Sequence, residues 1–233
     1  MGETLPGLLA LRAEQTPRGV ALRQKRLGIW QETTFQEHHA RVRAVAAELV
    51  AAGLRPGDVV ALLGGHRPQW FQAELGVQTA GAAVAPLDEH LAPALLADLL
   101  ARCNARFAVV EGQEQVDMLL AARDRLSTLE RVYYWDVRGM RAYQDNPWLR
   151  PLRALRIGVT AFAIDTSRPP EPPAEEALTA SLPEIRGQDV AAVVFTPGLG
   201  GHPRAVRLTH AALIASARAL VEAEGLDARD EFI

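Results

Sequence analysis

The chain has 233 residues, of which 48% are hydrophobic, so it is long enough to bury a sizeable core. Its formal net charge of −3 provides no broad basic surface of the kind that binds nucleic acid. Cys103 is the only cysteine, which excludes an internal disulfide framework and a cysteine-based zinc site. We expect it to be a buried structural thiol.

The sequence shows no targeting or membrane-spanning segment. Its apolar runs fall short of the roughly 18 residues that a transmembrane helix needs. The first residues, Met1 to Thr4, lack the basic region that opens a signal peptide. We therefore expect a cytoplasmic protein.

The first 135 residues alternate helical and extended patterns. Apolar residues in 37–50 are spaced for one face of a helix, and Gly53 is a suitable stop. Further helices are predicted over 68–80, 91–103 and 113–125, and strands over 59–63, 82–87, 107–110 and 131–135. Because these strands are short, apolar throughout and separated by helices, they indicate an α/β fold whose mostly parallel sheet is flanked by helices.

Residues 136–188 differ in character, since prolines such as Pro151 and Pro183 interrupt regular structure. The segment 168–176 is rich in Pro and Glu and is predicted to be an extended, solvated linker. We therefore divide the chain into a first α/β subdomain (1–165), a Pro/Glu-rich linker (166–188) and the start of a second subdomain (189–233). The last unit is predicted to contain strands 190–195 and 205–208 and a helix over 210–224.

A glycine-rich loop joins those two strands. Glycine permits the dihedral angles and the close approach with which successive backbone N–H groups can surround a phosphate. A plain glycine-rich turn is the alternative. The stretch 195–210 resembles the phosphate-binding signature of the adenylate-forming superfamily, which includes acyl-CoA synthetases, luciferases and peptide-synthetase adenylation domains. The positions that match are Phe195, Thr196, Gly198, Gly201, Pro203, Val206, Leu208, Thr209 and His210.

The loop also departs from that signature. Pro197, Leu199 and Gly200 stand where the family has hydroxyl residues, Arg204 replaces a lysine, and Ala205 replaces a glycine. A hydrogen bond to a charged group contributes roughly 1.5–3 kcal/mol. The loss of two hydroxyl contacts is therefore expected to cost about 3–6 kcal/mol, or roughly 10²–10⁴ in affinity.

The resemblance extends through the amino-terminal region. Trp30 with residues 33–35 resembles the family's early strand pair, and residues 53–60 resemble its turn into the first sheet strand. Residues 67–70, followed by Gly76, Gly81 and Pro86, are most similar to long-chain acyl-CoA synthetases. Residues 134–136 and 138–139 resemble a bacterial subgroup of that branch. Trp70 and Trp135 are expected to pack in the core.

The resemblance implies an AMP-forming acyl-CoA synthetase. Such enzymes activate a fatty acid or another carboxylate with ATP and Mg²⁺ to give an acyl-adenylate and pyrophosphate, and CoA then displaces AMP. By the same resemblance, Thr196, Gly198, Gly201 and Arg204 contact the β- and γ-phosphates. No catalytic residue and no metal ligand is assigned in this chain.

The chain covers less than half of the family's length, so it is not expected to complete the reaction alone, and we expect weak or absent ATP binding. Two interpretations remain open: the amino-terminal fragment of a ligase, or a truncated non-catalytic relative that acts as a binding or scaffold module. In the family, the strands after the loop join a larger sheet. We therefore expect an incomplete second sheet here, and a homodimer joined through 190–233.

Other candidate sites have simpler explanations. The six histidines show no ligand spacing, so a metal site is not expected. Gly64 and Gly65 precede a predicted helix and could host an anion, but a tight turn explains them as well. Asp88 and Glu89 are predicted to lie in a solvated loop.

Overall fold

The structure, a computed structural model, describes residues 3–155, 181–196, 203–227 and 230–231. Its α-helices are Leu5–Gln15 (α1), Phe35–Ala51 (α2), Pro68–Thr79 (α3), Pro93–Arg102 (α4), Gln113–Ala121 (α5) and His210–Glu224 (α6). Its strands are Val20–Arg26 (β1), Ile29–Thr34 (β2), Val59–Leu63 (β3), Ala83–Leu87 (β4), Ala105–Val110 (β5), Arg131–Tyr134 (β6), Leu149–Pro151 (β7), Val190–Thr196 (β8) and Arg204–Thr209 (β9). The predicted elements therefore form, with ends shifted by a few residues.

Seven strands form one sheet in the order β7-β6-β5-β3-β4-β8-β9. Every neighbouring pair is parallel except β8 and β9, which form an antiparallel hairpin. Strands β1 and β2 pair separately as a second antiparallel hairpin. The mostly parallel α/β fold is thereby confirmed.

Strands β8 and β9, which we expected to begin an incomplete second sheet, instead extend the main sheet. Strand β8 pairs with β4 through Val84 and Ala192, and the Gln78 side chain of α3 donates a hydrogen bond to the Ala191 carbonyl, 3.3 Å away. The reason is that Ala192 and Val193 are apolar and are buried on opposite faces, as an internal strand requires. The division at 166–188 stays a prediction, because residues 156–180 lie outside the described residues.

The core lies on both faces of the sheet. Helices α4 and α5 cover one face, where Leu96, Leu100 and Leu119 are buried. Helices α2 and α3 cover the other, where Leu49 and Val77 are buried. Trp70 and Trp135 pack in this second core and are 8% and 1% exposed, which confirms their expected role.

Local signals fix where the helices begin. The Thr34 hydroxyl accepts a hydrogen bond from the Glu37 amide, and the Glu37 carboxylate accepts one from the Thr34 amide, so the two residues form a capping box before α2. Helices α3 and α4 each begin at a proline, Pro68 and Pro93, where the missing N–H has no helical partner to lose.

The structure corrects our prediction around Pro151, which was expected to interrupt regular structure. Pro151 ends β7, the edge strand of the sheet, and pairs with Tyr134 of β6. A proline is tolerated at a sheet edge because its missing N–H can face away from the neighbouring strand. Helix α1 was not predicted either.

An arginine ties together the amino ends of three strands. One nitrogen of Arg106, Nη1, donates to the Gly53 carbonyl at 2.8 Å and to the Asp58 carboxylate at 2.7 Å. Its Nε and Nη2 donate to the two carboxylate oxygens of Glu130. Hydrogen bonds from Arg106 lower the pKa of Glu130. The turn before β3, the start of β5 and the approach to β6 are thereby held in place.

We predict that Gly76→Ala lowers stability. A Cβ at this position of α3 would lie 2.6 Å from the Cβ of Val45 in α2, closer than real Cβ atoms approach. Overpacking costs about 1–3 kcal/mol, against a gain of up to about 1 kcal/mol in helix propensity. Urea denaturation measures the loss. As a control, the same substitution in a Val45→Gly background, which lacks the contacting Cβ, should cost far less stability; a loss of equal size there would contradict the contact.

A second prediction concerns Glu74 of α3, whose pKa burial raises from 4.5 to about 7. Between these values the folded state holds a proton that the unfolded state has released, so stability falls as the pH rises from about 4.5 to 7. Glu74→Gln should remove this decline. The measurement is the urea midpoint between pH 5 and pH 8. Glu222→Gln, on an exposed part of α6, should keep the decline of the parent chain.

Burial lowers the pKa of His38 to about 4, and this shift makes stability depend on pH in the opposite direction. The unfolded state takes up a proton first as the pH falls, so this group makes stability rise between about pH 4 and 6.5. In Glu74→Gln the rise should therefore become visible. A variant whose midpoint still declines toward pH 7 would contradict the assignment to Glu74.

Candidate functional site

The β8–β9 hairpin places two of the four predicted phosphate-contacting residues opposite each other. Thr196 ends β8 and pairs with Arg204 at the start of β9, and both residues are exposed. Gly198 and Gly201 lie in residues 197–202, outside the described residues. The structure thus brackets the glycine-rich loop between a hydroxyl and a guanidinium, and the roles of all four residues remain predictions.

The hairpin presents this loop at the carboxyl edge of the parallel sheet. Strand β8 runs parallel to β4, and four residues beyond their pair Val84 and Ala192 stand Asp88 and Thr196. Ligands of open α/β sheets bind in crevices outside the carboxyl ends of the strands. Thr196 and Arg204, which flank residues 197–202, therefore lie on the side of the sheet where such ligands bind.

Polar residues follow the other parallel strands at the same edge. Gly64 and Gly65 follow β3, Glu89 follows β4, Glu111 follows β5, and Asp136 follows shortly after β6. The sequence alone did not identify these residues as a group. The available signal was a polar residue or glycine soon after each predicted strand, because parallel strands bring such residues to one edge.

Gly64 and Gly65 form a turn that could bind an anion, and the anion found there is a carboxylate of the protein itself. The Gly65 amide donates to Oε2 of Glu111 at 2.9 Å, and Arg67 Nε lies 3.3 Å from Oε1 of the same carboxylate. Gly64 has φ of 149°, and a Cβ there would lie 2.9 Å from the indole of Trp135. Close packing therefore explains Gly64, as the turn interpretation expected.

An ion pair lies beside this turn. Arg138 donates to Asp136 through its backbone amide at 3.0 Å and through its Nε at 2.8 Å. Burial disfavours the charged form of Asp136, but the hydrogen bonds from Arg138 outweigh it and lower the pKa of the carboxyl. The charge of Arg67 also lowers the pKa of Asp136. Much of the charge at this end of β3, β5 and β6 is thus already neutralised.

The Thr209–His210 pair of the motif has structural roles. The Thr209 hydroxyl accepts a hydrogen bond from the Ala212 amide and caps α6. His210 is 2% exposed, and its Nδ1 accepts a hydrogen bond from the Leu5 amide at the start of α1. Burial lowers the pKa of His210, consistent with a neutral ring that serves as an acceptor. The end of the hairpin is thereby attached to the beginning of the chain.

The remaining candidates give no further site. Within residues 3–155, 181–196, 203–227 and 230–231, no group of three His, Cys, Asp or Glu side chains is arranged to hold a metal ion. Asp88 is exposed, and its carboxylate accepts a hydrogen bond from the His90 amide, as in the predicted solvated loop. Cys103 is 7% exposed, and burial raises its pKa to about 11, which confirms a buried thiol.

None of the described helices is both long enough and apolar enough to cross a membrane.

Comparison with known proteins agrees with this geometry. Long-chain-fatty-acid–CoA ligase heimdall of Drosophila melanogaster is 29% identical over 187 residues, which are 79% of this chain and 26% of that protein. The chain thus spans about a quarter of the length of this curated relative.

Two solved structures share the fold. One, described as a long-chain-fatty-acid CoA ligase from Rhodopseudomonas palustris, has a TM-score of 0.74 at 20% identity and covers 98% of this chain and 50% of its own. The other is a fatty acyl-adenylate ligase from L. pneumophila in complex with acyl adenylate and pyrophosphate. It has a TM-score of 0.69 at 16% identity and covers 96% of this chain and 33% of its own.

The profile of one protein family, described as AMP-binding enzyme, matches residues 9–233 and so includes both the parallel sheet and the glycine-rich hairpin. The chain belongs to the AMP-binding enzyme family.

Proposed function

We propose that this chain is the amino-terminal part of an AMP-forming acyl-CoA synthetase and carries its phosphate-binding loop. The observation that carries the proposal is the pairing of Thr196 with Arg204, which brackets residues 197–202 at the carboxyl edge of the sheet. The name of the Drosophila relative points to a long-chain fatty acid as the substrate. Thioester formation then requires CoA as the acceptor.

In this proposal the chain contributes a positive charge and a hydrogen-bond donor that position the phosphates of ATP. Arg204 offers a cation beside the loop, and the Thr196 hydroxyl offers a donor at its other end. Fixed donors of this kind stabilise the charge that develops on transferring phosphates. Mg²⁺, bound with ATP, supplies further neutralisation. The described residues of the hairpin, 190–196 and 204–209, contain no carboxylate, so this part of the chain supports the phosphates rather than the ion.

The chain's own loop favours weak binding and keeps a second function open. Pro197, Leu199 and Gly200 remove the hydroxyls that the family signature places there. A binding or scaffold module without catalysis is the alternative that this observation supports. A cytoplasmic location, where ATP and CoA are available, belongs to the ligase proposal.

We predict that the 233-residue chain binds Mg·ATP weakly or not at all, and that restoring the hydroxyls creates affinity. The triple variant Pro197→Ser, Leu199→Thr, Gly200→Thr should bind roughly 10²–10⁴ times more tightly, because it should regain two hydroxyl contacts to a charged phosphate. Calorimetric titration measures both constants. A low-micromolar dissociation constant for the parent chain would contradict the first expectation.

Arg204→Ala in the restored background should remove most of the gained affinity. Arg207→Ala is the matched control, since Arg207 is an exposed arginine three residues along the same strand and points to the opposite face. Equal effects of the two arginine variants, or no gain from the restored loop, would disprove the proposed phosphate site.

We also predict a homodimer joined through 190–233. Strand β9 is an edge strand, and Val206, Leu220 and Val221 are 38%, 52% and 46% exposed. Unpaired edges and exposed apolar residues favour pairing with another chain. Val206→Lys should therefore give a monomer in light scattering at tens of micromolar. Leu95→Lys, at an exposed leucine of α4, should leave the dimer intact; a monomeric parent chain would contradict the prediction.

A further inference from the structure

The turn of the β1–β2 hairpin exposes an unusual group of residues. We call residues 25–30 the hairpin tip. Leu27, Ile29 and Trp30 are 71%, 64% and 59% exposed, and they lie within four consecutive positions. They are the most exposed large hydrophobic side chains among the described residues. The proposed ligase function does not use this tip.

The backbone conformation of the turn disfavours a leucine at position 27. Leu27 and Gly28 have φ of 48° and 82°, so both central residues of the two-residue turn are left-handed. Hairpins of this type favour Asn-Gly, because asparagine tolerates that conformation and leucine does so poorly. Asn104 shows the usual choice at φ of 53°. Since Leu27 is mostly exposed, packing within the protein does not explain its place.

The apolar residues point in several directions. Ile29 pairs with Arg26, and Trp30 pairs with Lys25, so these neighbours project from opposite faces of the hairpin. Leu27 caps the end. A rigid protein surface would contact one face of such a tip and leave the other in water. A fluid lipid interface surrounds all three side chains, and tryptophan is favoured there.

The charge around the hairpin tip also favours a lipid interface as the partner. Residues 18–34 hold four cations, Arg18, Arg23, Lys25 and Arg26, and one carboxylate, Glu32, although the whole chain has a net charge of −3. Arg23 is paired with Glu32 and with Glu231, so the excess positive charge lies on the other three cations, two of them in the hairpin tip. Lys25 Nζ lies 5.8 Å from the centre of the Trp30 ring. Basic residues beside exposed apolar ones bind anionic headgroups while the apolar side chains enter the interface.

We propose that the hairpin tip docks this protein on an anionic lipid bilayer, with Leu27, Ile29 and Trp30 in the headgroup–acyl boundary and Lys25 and Arg26 at the lipid phosphates. The contact is peripheral and reversible. It requires neither ATP nor the phosphate-binding loop.

The chain contains its own reporter for this contact. Trp30 is 59% exposed, whereas Trp70, Trp135 and Trp148 are 8%, 1% and 6% exposed. Vesicles of phosphatidylcholine with phosphatidylserine, added to the 233-residue chain, should shift its tryptophan emission to shorter wavelength. Brominated acyl chains should quench that emission. Vesicles of phosphatidylcholine alone should bind less, and co-sedimentation gives the partition coefficient.

Leu27→Asn is the sharpest variant, because asparagine favours the left-handed turn while it removes the apolar tip. It should unfold at or above the parent temperature and yet lose roughly tenfold in partitioning. Lys25→Gln and Arg26→Gln should each lose about fivefold, on phosphatidylserine vesicles only. Leu95→Asn, at an exposed leucine of α4, should partition like the parent chain.

Several results would overturn the proposal. They are a parent chain that does not sediment with phosphatidylserine vesicles, a Leu27→Asn variant that binds as well as the parent, and an unchanged tryptophan emission. Self-association that Leu27→Asn abolishes, without vesicle binding by the parent chain, would assign the tip to a second copy of this chain instead.

Discussion

Everything in this fold depends on the burial of β3 from both sides. Its odd-numbered residues, Val59, Ala61 and Leu63, belong to the core under α4 and α5, and its even-numbered residues belong to the core under α2 and α3. A shift of one residue would exchange the two sets. Arg106 fixes the strand's amino end through Asp58, and the turn at Gly64 fixes its other end against Trp135.

The β8–β9 hairpin, which carries the proposed phosphate-binding loop, is attached to that sheet through few contacts. Strand β8 meets β4 at one paired position, and the fully buried Gln78 side chain reaches the Ala191 carbonyl from α3. His210 and Thr209 then fix the far end of β9. Both strands of the hairpin are therefore anchored at the end away from the loop, while the proposed chemistry depends on residues at its other end.

Sequence patterns predicted the regular elements well where hydrophobic spacing determines structure. Strand Val59–Leu63 has the predicted ends, and Pro68 begins its helix as expected. The patterns failed where long-range contacts decide. Pro151 was expected to break structure, but an edge position accommodates it. Partner choice for β8 was missed, because an apolar run does not reveal which strand it will join. The Glu111 and Asp136 cluster was missed for the same reason.

Cys103 has a consequence for experiment. This single thiol is 7% exposed and has a pKa of about 11, so little of it is reactive thiolate at neutral pH. A cysteine introduced at an exposed position is then labelled selectively without removal of the native one. Probes at Thr196 and Arg204 would report on ATP binding at the proposed phosphate site.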